Sequence, residues 1–344
     1  MKKAHKLVLI FLSLIGLAWL IPVVYCLIIP DKNRDPFVAW SPVSNRFIVS
    51  MPTDGKDDPE IFDIDPITGK PGKYWNKEQR DSLLPEIYTS QLMGKGLMPD
   101  SLNGEEMSMQ NIRRNRWTFS SFPENINKSV PEIYPLMESM PARFDLEDPK
   151  VALIAKNKVD IVDIASNSTD KTKTERFGRM FEEKGFRLPV IKASANITTR
   201  KGYDNGYLLI DADNNIYHLK MQVNRPSMAK INRPDSVIPT NVFIQEQPDK
   251  AFYGFVSTTS GDFYAIQRDD YSMIKIPEVK FNPATDRMSI LKGLFSWVIK
   301  LEKPSGYEWI AINSDNYGFI DKYEYSQPKT LRKKLADIAS LIKH

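Results

Sequence analysis

The stretch Tyr207–Met221 reads YLLIDADNNIYHLKM: an apolar run, a polar turn and a second run in which polar residues interrupt apolar ones. Alternation on both sides of an Asp–Asn turn indicates a β-hairpin. The same shape recurs at Tyr253–Ile266 and Glu308–Tyr323, and the three segments begin 46 and 55 residues apart. Propeller blades repeat about every 40–50 residues. We therefore predict a mainly β fold with helical insertions, as an irregular β-propeller-like domain or, alternatively, a β-sandwich.

Local signals predict two further elements upstream of these hairpins. Val151–Ala155 and Val159–Ile164 flank a short polar turn and predict another hairpin. Asp170 is the predicted N-cap of a helix over about Lys171–Lys184, whose apolar face we expect to pack in the core.

Residues 76–150 show no sustained period. Asn76 is a suitable N-cap for a short helix that begins at Lys77. The rest is rich in Met, Pro and Asn, and four prolines between positions 131 and 149 interrupt any long element. We expect an irregular and partly helical excursion from a single β-rich domain that spans residues 30–329.

The apolar run LVLIFLSLIGLAWLIPVVYCLII occupies Leu7–Ile29 and contains no charged residue. As a helix it would be about 34 Å long, enough to cross the hydrocarbon core of a bilayer. Three lysines lie within residues 1–6, so the positive-inside tendency keeps this tail in the cytoplasm. We predict a single-pass inner-membrane protein whose chain after Pro30 is periplasmic.

Two alternatives for the apolar run stay open. A cleaved signal peptide would have an apolar region of about 7–15 residues followed by small residues, whereas bulky Ile21, Val24 and Tyr25 occupy that place here. A lipoprotein would carry its lipid on Cys26, where the preceding tyrosine is larger than such sites accept. An uncleaved transmembrane helix fits the length and the flanks best.

Charge and cysteine content exclude several classes of partner and site. The chain holds 47 basic and 43 acidic residues, and three of the basic ones precede the apolar run, so the exported part is close to neutral. A groove for nucleic acid would need a basic excess. The only cysteine, Cys26, lies in the apolar run, so the domain has no disulfide and no thiol nucleophile. We expect no nucleic-acid partner and no cofactor.

Metal-binding and catalytic residues are sparse. Two of the three histidines lie near the chain ends, and His218 stands alone on a strand. Asp211, Asp213 and Asn215 match the first three ligands of an EF-hand loop, but the later positions depart from that pattern. The same residues suit a hairpin turn, in which Asn tolerates positive φ. They are a weak metal candidate, and we predict no enzyme activity.

Arg200, Lys201, Tyr203 and Tyr207 form a polar and aromatic group beside a glycine-rich turn, and His218 follows on the next strand. Loops of this kind often carry recognition on a rigid scaffold. These five residues are our predicted ligand-binding site, and packing at a strand end is the alternative interpretation.

Residues 330–344 have the pattern of a basic amphipathic helix. Leu331, Leu335, Ile338 and Ile342 share one stripe beside three basic residues. Such a helix lies on a membrane surface or on a partner, or it packs on its own domain.

Four longer motifs resemble a known family. They are TTRKGYDNGYLLIDADNNIYHLKM (198–221), LLPEIY (83–88), MPDSLNG (98–104) and YPLMESMPARFDLEDP (134–149). Together they are similar to an uncharacterised family of single-pass, membrane-anchored periplasmic proteins from Bacteroidota, a domain of unknown function, over nearly the whole chain. The resemblance implies no chemistry, but it implies a place beside components of ATP-driven membrane transporters.

Three hypotheses of function agree with these observations. The first is a non-enzymatic accessory or interaction subunit of a membrane complex, with an ATP-driven transporter as the candidate complex. The second is an anchored sensor or small-ligand-binding module. The third is a glycan hydrolase, which needs two carboxyl groups about 5–10 Å apart in a cleft.

Overall fold

The computed structural model describes residues 35–53, 58–128, 132–139 and 146–326, with separate positions between Lys6 and Ile28. The predicted transmembrane segment at 7–29 lies mostly outside these residues, and the predicted helix at 330–344 lies wholly outside them. Among the described residues, no helix combines the length and the hydropathy that a bilayer crossing requires.

The chain divides into two compact units. The second unit comprises Lys95–Pro304 and Glu308–Lys322. The first unit comprises the described residues of Met1–Gly94, Ser305–Tyr307 and Tyr323–His344.

The first unit contains a four-stranded antiparallel sheet followed by two short helices. Its strands are β1 (Phe37–Ser41), β2 (Arg46–Met51), β3 (Glu60–Ile64) and β4 (Pro71–Trp75), and its helices are α1 (Lys77–Leu83) and α2 (Thr89–Gly94). The predicted cap of α1 is confirmed: Asn76 accepts the Gln79 amide, and the Gln79 side chain accepts the Asn76 amide. Leu83 and Leu84 then pack on the apolar face of the sheet.

The second unit begins with short elements in the region predicted to be irregular. They are β5 (Ser101–Leu102), β6 (Glu105–Glu106), α3 (Met109–Asn115), β7 (Trp117–Ser121) and α4 (Pro123–Ile126). The structure differs from that expectation at β7, because this strand is part of a large sheet formed with later strands. Its residues alternate between buried and exposed, but five residues are too few for the period to stand out.

A second sheet follows, with a helix at its end. Its strands are β8 (Ile133–Leu136), β9 (Val151–Ala155), β10 (Val159–Asp163) and β11 (Ser168–Thr169), and the helix is α5 (Lys171–Glu183). The predicted hairpin is confirmed as β9 and β10. The predicted helix is confirmed as α5, whose N-cap Asp170 accepts the Lys173 amide. The unpredicted β8 contains Pro135, which the sheet tolerates because β8 is an edge strand.

Three more sheets complete the described chain. The third has β12 (Lys192–Ala195), β13 (Tyr207–Ile210), β14 (Ile216–Gln222) and β15 (Arg225–Lys230). The fourth has β16 (Pro239–Ile244), β17 (Phe252–Thr258), β18 (Phe263–Gln267) and β19 (Met273–Ile276). The fifth has β20 (Arg287–Lys292), β21 (Ser296–Lys303), β22 (Gly306–Asn313) and β23 (Phe319–Tyr325), with β7 beside β20.

Consecutive sheets of the second unit pack through apolar faces. One core cluster joins α5 with the second and third sheets, a second joins the third and fourth, and a third joins the fourth with β7 and β20–β22. In each sheet four strands pair in chain order, which is the connectivity of a propeller blade. The prediction of a mainly β fold is confirmed.

The internal repeat is more regular than the sequence pattern indicated. The second strands of the last three sheets, β13, β17 and β21, begin at residues 207, 252 and 296, so the repeat is 45 and then 44 residues. The pattern predicted 46 and 55 because its third hairpin, Glu308–Tyr323, falls on β22 and β23. That assignment is wrong by one strand: the hairpin consists of the third and fourth strands of its sheet, not the second and third.

Candidate functional site

Three predicted binding residues, Arg200, Lys201 and Tyr203, lie in residues 196–206, the segment that joins β12 to β13. We call this segment the 196–206 loop. It precedes β13, whereas the turn at 211–215 follows β13, so the two lie at opposite ends of one strand.

The ammonium group of Lys201 is buried between two carboxylates. Its Nζ lies 2.6 Å from Asp204 Oδ1 and 2.6 Å from Glu246 Oε1, and it donates to the Asn196 carbonyl at 2.5 Å. The side chains of Lys201, Asp204 and Glu246 are 5%, 2% and 4% exposed. Burying an ion costs several kcal/mol, so it is tolerated only where opposite charge and hydrogen bonds compensate it. We call these three residues the buried ion triad.

The two carboxylates accept further hydrogen bonds that hold the loop in place. Glu246 accepts the Asn205 amide at 2.8 Å and the Asn196 side-chain amide at 2.7 Å. Asp204 accepts the hydroxyl of Ser139 at 2.5 Å. The triad therefore ties the 196–206 loop to residues that precede β9 and to residues that follow β16.

Gly206 ends the loop in a conformation that favours glycine. Its φ is +72°, and a Cβ at this position would lie 2.2 Å from the carbonyl oxygen of Leu219. Its amide donates to Asp204 Oδ2 at 3.0 Å. The close approach of Gly206 to β14 thus sets the path by which the loop enters β13.

His218, on β14, is 2% exposed and contacts the 196–206 loop. Its Nε2 lies 2.6 Å from the carbonyl oxygen of Asn205, and its Nδ1 lies 3.0 Å from the hydroxyl of Tyr271. Because a carbonyl only accepts, Nε2 carries the proton and Nδ1 accepts from the tyrosine. Burial lowers the pKa of His218 to about 4, so the imidazole is neutral at physiological pH.

Aromatic rings surround this histidine. The rings of Tyr253 and Tyr271 stack with their centroids 4.9 Å apart, and the His218 ring lies 4.0 Å from that of Tyr253. The hydroxyl of Tyr203 donates to the Gln247 carbonyl at 2.8 Å. Loop, histidine and tyrosines are therefore one connected polar and aromatic network between the third and fourth sheets.

Three further cations lie over these rings. Arg268 Cζ is 5.1 Å from the Tyr253 centroid and 5.4 Å from that of Tyr203. Lys220 Nζ is 5.4 Å from the Tyr253 centroid, and Lys250 Nζ is 4.8 Å from the Tyr203 centroid. We call Lys220, Lys250 and Arg268 the ring cations.

The remaining predicted residues are placed differently. Arg200 is exposed, and its backbone amide donates to the Thr198 hydroxyl. Tyr207 is buried in the core cluster formed with the second sheet, whereas His218 contacts Tyr253 on the opposite face of the third sheet. The Tyr207 hydroxyl donates to the Pro135 carbonyl at 2.8 Å, and burial raises the pKa of this phenol. The structure thus brings Lys201, Tyr203 and His218 together but separates Tyr207 from them.

The weak metal candidate forms a closed turn. Asp211 Oδ1 accepts the amides of Asp213 and Asn215 at 2.9 and 2.7 Å, and Oδ2 accepts the Arg187 amide at 3.2 Å. Asn214 takes the positive φ, +61°, that hairpin turns require. Over the described ranges, no three or more His, Cys, Asp or Glu side chains are placed to hold a metal ion.

Sequence reasoning missed the fourth-sheet half of the network. Glu246, Tyr253, Arg268 and Tyr271 follow the loop by 40 residues or more, and no motif links them to it. The repeat was the one usable signal. Residues 245–251 join β16 to β17 as the 196–206 loop joins β12 to β13, so equivalent loops of neighbouring sheets meet here.

Likeness to solved structures is low. A hydrazine synthase from Kuenenia stuttgartiensis is 10% identical, with 59% of this chain and 52% of that chain covered and a TM-score of 0.29. The dihydro-heme d1 dehydrogenase NirN is 8% identical, with coverages of 89% and 51% and a TM-score of 0.30. The Cps50 (Swd1) β-propeller domain from Myceliophteria thermophila is 8% identical, with coverages of 87% and 90% and a TM-score of 0.28. The chain spans about half the length of the first two.

The sequence comparisons give a clearer result. No curated protein matches the chain. Residues 37–312 match the family described as Domain of unknown function (DUF4857), which covers well over half of the chain. The chain therefore belongs to this family, in agreement with the resemblance to an uncharacterised family that its motifs indicated.

Proposed function

We propose that this protein is a non-enzymatic interaction subunit of a membrane complex and that the 196–206 loop is part of its contact surface. The observation that carries this proposal is the buried ion triad, which holds a surface loop in one conformation. A loop that is ordered before binding loses little conformational entropy on binding, so its contacts contribute more fully to affinity.

The loop also has side chains left for recognition. Ile197 is 41% exposed and Arg200 is exposed, whereas Lys201 and Asp204 of the same loop are buried. An arginine beside an exposed aliphatic residue suits a protein contact, since arginine is enriched in such interfaces and its guanidinium offers several donors. One short loop thus contains buried residues that fix its conformation and exposed residues that are available to a partner. This arrangement supports a role in recognition beyond the connection of two strands.

The cellular placement rests on the sequence. The uncharged run at Leu7–Ile29 and the lysines before it support an inner-membrane anchor with the β-rich part in the periplasm. The family resemblance supports an ATP-driven transporter as the complex in question. Tethering would then hold the protein at the membrane that contains its partner.

The carboxylate geometry favours a non-enzymatic role over glycan hydrolysis. Asp204 and Glu246 lie on either side of a single ammonium group and are almost fully buried. A glycosidase needs two accessible carboxyl groups with a sugar or a water between them. In this pair the intervening space is taken by Lys201.

Site-specific photo-crosslinking in native membranes tests the proposal. The full-length protein would carry a photoreactive residue at Arg200 or, as a matched control, at Ala212, an exposed residue in the turn at the other end of β13. We expect one discrete adduct from position 200, none from position 212, and loss of the adduct when Lys201→Met is added. Equal labelling at both positions, or no adduct from position 200, would overturn the proposal.

An anchored ligand-binding module is the second candidate, and the ring cations favour it. They gather positive charge over the rings of Tyr203 and Tyr253, and such local positive charge is a property of small-anion sites.

A further inference from the structure

The ring cations lack the counter-charge that neighbouring cations have. In the described part of the chain, Lys220, Lys250 and Arg268 form no ion pair with a carboxylate. The Arg268 guanidinium donates to the neutral side chain of Asn205 at 3.3 Å. By contrast, Asp249, which directly precedes Lys250 in the chain, pairs with Lys292 at 3.1 Å.

The nearest carboxylates are already occupied. Asp204 and Glu246 belong to the buried ion triad, where Lys201, Ser139 and the amides of the 196–206 loop use their oxygens. Neither is free to turn towards Lys220 or Arg268. Asp204 and Glu246 act on Lys220 only through space. The positive charge over Tyr203 and Tyr253 is therefore left without a directly paired protein anion.

The proximity of these cations affects the pKa values of Lys220 and His218. Burial and then the nearby Arg268 guanidinium lower the pKa of Lys220, and the carboxylates of Asp204 and Glu246 offset this lowering in part. Lys220 and Arg268 also oppose protonation of His218, which lies on the same face of β14 as Lys220. A bound anion would relieve this repulsion.

We propose that Lys220, Arg268 and Lys250, over the rings of Tyr203 and Tyr253, form a binding site for a doubly charged phosphate-type oxyanion. Two charges on one small group match the pair Lys220 and Arg268, and the guanidinium fork suits two oxygens of a phosphate. Lys250 lies on the exposed side, where it can attract the anion from solvent. The ligand is inorganic phosphate, a soluble phosphomonoester or a phosphomonoester lipid headgroup, which share this chemistry.

The site is independent of the proposed protein contact. Crosslinking from Arg200 reports a partner on the 196–206 loop, whereas anion binding is measured on the purified protein without a partner. Either result stands if the other fails.

Thermal unfolding of the full-length protein in detergent tests the site. Inorganic phosphate, glycerol 3-phosphate and sodium acetate would be compared at equal ionic strength, and short-chain phosphatidic acid would be compared with short-chain phosphatidylcholine in the micelle. We expect phosphate-type ligands to raise the Tm by about 3 °C or more and acetate to leave it unchanged. Stabilisation by the soluble compounds assigns a soluble ligand, and stabilisation by phosphatidic acid alone assigns a lipid headgroup.

Variants decide whether the ring cations are responsible. Lys220→Met and Arg268→Gln should each abolish the phosphate-induced shift. Lys230→Met is the matched control, because Lys230 Nζ lies 5.9 Å over the ring of Tyr217 in the same sheet but is exposed. An absent shift in the wild-type protein with every phosphate compound, or a shift that survives in both site variants, would overturn the proposal.

Discussion

The two polar segments that flank β13 are similar in composition but differ in what holds them. The turn at 211–215 is closed by its own residues, since Asp211 accepts amides two and four positions ahead. The 196–206 loop is held by distant residues: Ser139 on one side and Glu246 on the other. The first is a local structure, and the second depends on the packing of three sheets.

This difference indicates where function is expected. A turn that is held by its own hydrogen bonds can form in any hairpin, so chain reversal is a sufficient role for it. A loop fixed by buried charges costs desolvation energy that an apolar connection would avoid. We infer that the 196–206 loop is retained for its conformation.

Removal of the triad cation should have the largest effect. Lys201→Met leaves the carboxylates of Asp204 and Glu246 buried without their partner, so we expect the free energy of unfolding to fall by about 3–5 kcal/mol in urea titrations. Lys173→Met is the control, because Lys173 pairs with Asp170 in a helix cap where the two side chains are 23% and 25% exposed. Its loss should cost no more than about 1 kcal/mol.

The triple variant Lys201→Met/Asp204→Asn/Glu246→Gln separates charge from packing. Because it removes all three charges, we expect it to be more stable than Lys201→Met alone. A triple variant that is less stable than the single variant would show that packing, not uncompensated charge, dominates.

Acidification should weaken the protein through His218. Its folded-state pKa of about 4 lies below the unfolded value of about 6.5, so the unfolded chain takes up a proton as the pH falls through this window while the folded chain does not. Stability is therefore complete above pH 6.5 and declines towards pH 4, by on the order of 3 kcal/mol. His218→Asn keeps a donor for the Asn205 carbonyl but cannot titrate in this range, so its stability curve should be flatter. Equal slopes for both proteins would contradict the assignment.

Gly206→Ala should destabilise the protein by about 2–3 kcal/mol, because φ is +72° and the new Cβ meets the Leu219 carbonyl. Chemical unfolding measures this change. The outcome that would count against the account is a cost below about 1 kcal/mol, since the loop would then tolerate a different entry into β13.

The turn should be the least sensitive. Asn214→Ala forces alanine to a φ of +61°, for which we expect a cost of about 1 kcal/mol. Asn214→Gly relieves that strain and should be nearly neutral in the same unfolding assay. A cost for Asn214→Ala that matches that of Lys201→Met would remove the distinction between the two segments.

The elements that could be predicted from the sequence are those formed by contacts between residues a few positions apart. Asn76 and Asp170 cap helices through contacts within three residues, and the β9–β10 hairpin is set by one short turn. The mainly β class and the family follow from patterns of this kind together with longer motifs.

The missed features all depend on contacts far apart in the chain. Strand β7 is too short to show a period, and its place is set by pairing with β20 and by packing with the fourth sheet. Within the site, Lys201 and Tyr203 were found from a local cluster, but Glu246 lies in a different sheet, and no local pattern distinguishes it from a solvated loop acid. The third hairpin of the sequence pattern lies one strand later in its sheet than the first two, which concealed the repeat of 45 and 44 residues. That repeat would have shown that residues 196–206 and 245–251 are equivalent loops.

Hydrogen exchange at single-residue resolution tests most directly whether the triad holds the loop. The amides of Asn205 and Gly206 donate to Glu246 and Asp204, whereas those of Asp213 and Asn215 donate to Asp211. In the Lys201→Met variant, we predict that the first pair loses protection by at least about tenfold under native conditions while the second pair exchanges as in the wild type. Unchanged protection at Asn205 and Gly206, or an equal loss at all four amides, would contradict the account.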